Sequence, residues 1–133
     1  MPTERGVDVL KPSRTLAARF MVDEPLPAGA TRELVVTGLD GWSAVVVAVR
    51  ASYHPEATAG VRVRWLYGPD GTSFDTPEDA EAEGNYADLA FSPGEVRQRT
   101  VLIPVLAPTV KVQVVNLDAE RGHVVSAWTW ALR

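Results

Sequence analysis

The chain has no cysteine and a single isoleucine, Ile103, among its 133 residues. The lack of Cys removes disulfides, thiolate nucleophiles and Cys-based zinc sites together. Lysine is nearly absent: eleven of the thirteen basic residues are Arg. Histidine is limited to His54 and His123. Both fall beside turn residues, so both are read as solvated loop side chains rather than as parts of a triad. No G-x-S-x-G elbow is present, and none of the six Ser residues stands in a catalytic setting. An enzyme is therefore not expected, nor is any cofactor. No apolar run approaches the roughly 20 residues of a membrane-spanning helix; the longest is residues 44–49. The opening Met1-Pro-Thr-Glu-Arg carries no apolar core of an export signal.

What is present is valine and punctuation. Twenty Val, seventeen Ala, ten Pro and ten Gly favour many short strands separated by turns over long helices. The expected strands are residues 16–22, 32–37, 42–52, 61–67, 86–91, 96–103, 109–115 and 124–132. The run Val45-Val46-Val47 within 42–52 implies burial on both faces, hence a central strand. In 61–67, Val61, Val63, Trp65 and Tyr67 share one face and Arg62 and Arg64 the other. In 124–132, Trp128, Trp130 and Leu132 align on one face, which core packing would claim, together with Trp65. Pro104 and Pro108 exclude a central strand between them. The expectation is an all-β antiparallel sandwich of about eight strands, jelly-roll-like, spanning residues 15–133, with an immunoglobulin-like strand order still open.

Residues 1–14 have mixed charge and no periodicity, and are read as an extended N-terminal arm. With Val7, Val9 and Leu10 as anchors, that arm is expected to lie on a neighbouring subunit. Charge is segregated elsewhere. Residues 70–88 hold seven acids and no base, although the whole chain has a net charge of only −4. Inside that stretch, Thr76-Pro77-Glu78-Asp79 has the chemistry of a helix start, which predicts one or two helical turns or an irregular loop. Its carboxylates do not match the spacing of a calcium-binding loop, so a solvated acidic loop is expected rather than a metal site. Arg62, Arg64, Arg97 and Arg99 are read as solvating an outer sheet face. A nucleic-acid surface is not expected from a chain with a sequence pI near 5.1.

Several segments together form a family pattern: Trp42-Ser-Ala-Val-Val-Val, Val61-Arg-Val-Arg-Trp-Leu-Tyr-Gly-Pro-Asp-Gly71, Pro93-Gly94, Arg97-Gln-Arg-Thr-Val101 and Val110-Lys-Val-Gln-Val-Val-Asn-Leu-Asp118. The pattern resembles small β-sandwich virion proteins of tailed bacteriophages, over about residues 31–132, with the acidic 76–84 stretch outside it. The resemblance implies a non-enzymatic head-decoration or tail-associated subunit. Its partners would be copies of itself and other virion proteins, with neither nucleic acid nor membrane, and it would reside in a virion assembled in the host cytoplasm. The residues expected to touch partners are Val7, Val9, Leu10, Trp42, Asp70, Asp75, Glu78 and Asp79. The alternative is a carbohydrate-binding sandwich module with exposed aromatics, for which Trp42, at a strand start after Asp40-Gly41, is the expected platform.

Overall fold

A computed structural model describes residues 8–13 and 17–133. Nine strands and one short helix follow in the order β1 (Asp8–Leu10), β2 (Ala18–Leu26), β3 (Thr31–Val36), β4 (Ala44–Ser52), β5 (Val61–Gly68), α1 (Pro77–Ala82), β6 (Tyr86–Asp88), β7 (Val96–Pro104), β8 (Thr109–Asn116) and β9 (His123–Leu132). They form a five-stranded sheet, β1-β3-β8-β5-β6, and a four-stranded sheet, β2-β9-β4-β7. From β2 onward the chain changes sheet at every connection except β5 to β6. Every pairing is antiparallel except β1 with β3. That wrapping is the jelly-roll arrangement.

The β4 triplet occupies the central position its sequence demands, flanked by β9 and β7. Val45, Val47, Val49 and Ala51 enter the core between the sheets with Val61, Val63 and Trp65 from β5 and Val110, Val112 and Val114 from β8. The alternation of β5 therefore reads true, with Arg62 and Arg64 on the outer face. Pro25 lies in β2, at the edge of its sheet, where a missing N–H is tolerated.

Two expectations about the periphery are corrected. Residues 8–10 are not an arm detached from their own domain. They form β1 on the free edge of β3, where Thr37 N–H donates to the Leu10 carbonyl at 2.8 Å. Leu10 packs against the core of its own chain, while Val9 stays 67% exposed. The reason is local chemistry. Arg32 is buried, and its guanidinium donates to Asp8 at 2.6 Å and to Glu24 at 3.1 Å. Burial opposes that charge, but the bonds to Asp8 and Glu24 outweigh it and raise the Arg32 pKa. Val7 lies outside the described residues. His123 is the second correction: it opens β9 and is buried, not a solvated loop residue. Its Nδ1 accepts from the His54 N–H at 3.2 Å, so Nε2 carries the proton toward the Ala59 carbonyl at 3.0 Å.

Candidate functional site: two unlike outer faces

The outer faces of the two sheets differ in kind. On the five-stranded sheet, the side chains beneath and beside α1 that point away from the core form a polar ladder, while Val35, Leu66 and Val115 on the same face are buried and Val9 at its edge is exposed. Asp88 takes two bonds from Arg62, at 2.7 and 3.1 Å. Arg62 and Arg64 both donate to one oxygen of Glu81, at 3.1 and 2.7 Å. Arg64 continues to Gln113 at 2.7 Å, and Gln113 to Glu33 at 2.6 Å. Hydrogen bonding from Arg64, with Arg62 adding to it, holds the Glu81 carboxyl below its usual range. Since Glu81 belongs to α1, the ladder ties the helix down on β5.

The helix itself follows from its cap. Thr76 Oγ1 accepts from the Asp79 N–H at 3.1 Å and donates to the Asp79 carboxylate at 2.9 Å. Pro77 begins the helix, and Ala80 is its buried anchor. The acidic stretch thus divides into two groups. Glu81 and Asp88 are bound by arginine, and Asp70 is bound by backbone, accepting from the Thr72 and Ser73 N–H groups at 3.0 and 2.8 Å. These amides hold the Asp70 carboxyl below its ordinary pKa. Asp75, Glu78 and Glu83 are exposed, and among the described residues no base pairs with them. Nor do three His, Asp or Glu side chains of the described residues gather as a metal ion would need.

The four-stranded sheet presents the opposite character. Its register sets Trp130 beside Val46 and Trp128 beside Ala48, all pointing away from the core, and Val46 in turn beside Leu102. Trp128 and Trp130 are only half-buried, and neither belongs to the core cluster. This corrects the assignment of these indoles to the core, since the inward positions of β9 are held by Val125, Ala127 and Ala131. Val46 and Ala48 face outward yet are nearly inaccessible, 5% and 7% exposed, because the indoles lie across from them. Leu102 and Val96 on β7 and Val124 on β9 are 59%, 55% and 44% exposed. The charged groups of the face are Arg19, Arg50 and Asp23. The two guanidinium carbons stand 4.8 and 5.5 Å from the Trp128 ring centroid, within cation–π range. Asp23, in a positive-φ conformation at 42°, is held by Ser126, whose Oγ accepts from the Asp23 N–H at 2.9 Å.

Trp42 is not on this face. It is buried in the core, with the Arg133 guanidinium carbon 4.0 Å from its ring centroid. The expected contact residues are thus not brought together: Trp42 is interior, Leu10 is partly buried against the core, and Val9 lies on the β1 edge. Asp70, Asp75, Glu78 and Asp79 sit on and before α1. What sequence reasoning missed is Trp128, Trp130, Arg19 and Arg50. The available signal was the alternation of β9, which places two large indoles opposite small Ala residues without saying which side is inside.

No protein-family model matches the chain. No curated protein matches it either. Among solved structures, it is similar to the pre-peptidase C-terminal domain of collagenase from Bacillus anthracis, at 11% identity over 96% of this chain and 97% of that one, with a TM-score of 0.33.

Proposed function

We propose that this domain is a non-enzymatic structural subunit that works through contacts with neighbouring subunits, on the head or tail of a tailed bacteriophage. The observation that carries the reading is the contrast between the faces. One outer face carries its own helix and a polar ladder, with only Val9 and Tyr86 as exposed large hydrophobic groups among the described residues of its strands. The other leaves two indoles, two stacked guanidiniums and exposed Leu102 in solvent, a composition enriched at protein interfaces. The virion setting comes from the sequence pattern described above. The Gly68-Pro-Asp-Gly71 turn and the Asn116-Leu-Asp118 bend support it only as scaffold, because their side chains are spent on backbone.

Light scattering on the full chain tests the reading. Masses at a multiple of the chain mass are expected, and a monomer at every concentration would overturn it. The carbohydrate-binding alternative now rests on Trp128 and Trp130 instead of Trp42. Against it, Arg19 and Arg50 already stand over the Trp128 ring a sugar would need. Glycan-array binding that is lost on Trp130→Ala would reverse the ranking.

A further inference from the structure

Resting on that reading of subunit contacts, we infer that the partner of the Trp128–Arg50 face is a second copy of this chain, which docks the acidic α1 side of its five-stranded sheet there. The two surfaces lie on opposite sides of the sandwich, because α1 is tied to the outer face of β5 in the other sheet. Their charges are opposite. The apolar face offers Arg19 and Arg50 against Asp23 alone, while the helix side offers Asp75, Glu78 and Glu83 with no ion-pair partner among the described residues. Arg62 and Arg64 are taken by Glu81 and Asp88, and the Lys111 ammonium stands over the Phe74 ring at 4.6 Å. A contact between two like faces fails on the same charges. Two Trp faces would set four guanidiniums against two carboxylates, and two helix sides would set carboxylate against carboxylate. Only the unlike pairing joins excess arginine to excess acid while covering the indoles. Tyr86, 37% exposed beside α1, gives the acidic side an aromatic surface of its own.

A contact between different faces of identical chains is heterologous. It leaves each copy with one used and one free surface, so the product is a ring if the rotation closes and a filament if it does not. This is a built-in route to a multi-subunit assembly without any second protein.

The test uses two double variants of the full chain, Asp75→Lys/Glu78→Lys and Arg19→Glu/Arg50→Glu, each checked for folding by circular dichroism. Sedimentation velocity at low salt is expected to show wild type larger than monomer and a dissociation constant at least about ten-fold weaker for either variant alone. Mixed one to one, the variants are expected to regain assembly, since each retains the surface that the other has lost and the two reversed surfaces are again opposite in charge. If either reversal misfolds, the neutral pairs Asp75→Asn/Glu78→Gln and Arg19→Gln/Arg50→Gln replace them, and their one-to-one mixture is expected to stop at a dimer, because the two neutralised surfaces no longer attract. Wild type that stays monomeric would overturn the subunit reading and this inference together. Wild type that assembles would overturn the head-to-tail contact alone, in either of two cases: variants that assemble equally well, or a mixture that stays monomeric.

Discussion

At the residue scale, the four tryptophans divide into two kinds of work. Trp42 and Trp65 are buried core groups, whereas Trp128 and Trp130 cover Val46 and Ala48 from outside. Trp65→Ala should therefore cost about 3–5 kcal/mol of folding stability, and Trp130→Ala roughly 1–2 kcal/mol, since only part of its surface leaves water. Urea unfolding of both variants measures the difference, and equal losses would contradict the assignment. Asp118 supports a second prediction. Its carboxylate accepts from the backbone N–H groups of Glu120, Thr58, Arg121 and Ala59. Those bonds hold it charged far below the ordinary carboxylate range. In the unfolded chain the same group protonates near about pH 4. Its contribution is thus complete above that pH and shrinks as acid protonates the unfolded state first. The melting-temperature gap between wild type and Asp118→Asn should narrow from neutral pH to about pH 2. A constant gap would refute it.

At the element scale, legibility in the sequence followed the strength of local signals. β4, β5 and β8 carry either a valine run or strict alternation, and the expected strands fall on them. The helix at Pro77–Ala82 was legible as cap chemistry, although the same residues left a loop open; the Glu81 bonds to Arg62 and Arg64 decide for the helix. β1 was illegible because three residues have no period, and its reason to exist lies in Arg32, far along the chain. His123 misled because Gly122 before it reads as a turn, while its ring is claimed by the His54 and Ala59 backbone. The turn after β5 is more exacting than its sequence suggests. A Cβ added at Gly68 would clash with the Ser73 carbonyl oxygen, a backbone atom that cannot swing aside. Gly68→Ala should lose about 2–3 kcal/mol. Thermal unfolding that matches wild type would show that the turn can relax.

At the scale of the whole molecule, the sandwich was legible and its functional surface was not. Alternation assigns residues to faces, but only the pairing of β9 with both β2 and β4 shows that Trp128 and Trp130 point outward. The acidic side was visible as composition, and its division into bound Glu81 and unbound Glu78 was not. If assembly joins Arg19 and Arg50 to exposed carboxylates, ionic strength must weaken it, because the screening length falls from about 10 Å at 0.1 M salt to about 3 Å at 1 M. The fraction assembled should fall between these salts, and sedimentation measures it directly. A fraction that rises with salt would point to an interface held by the indoles alone.

The position of β9 also has a kinetic meaning. It is the last of the nine strands along the chain, yet it sits between β2 and β4. Until it arrives, β2 has no partner in its sheet and β4 shows a bare edge to solvent. Closure of the domain therefore waits for a pairing that spans nearly its whole length, from Ala18 to Thr129. Such long-range closure makes for slow folding, in milliseconds to seconds. During that interval the valine-rich β4 is open to capture by another chain, so crowded synthesis would reward a chaperone that shields this one strand.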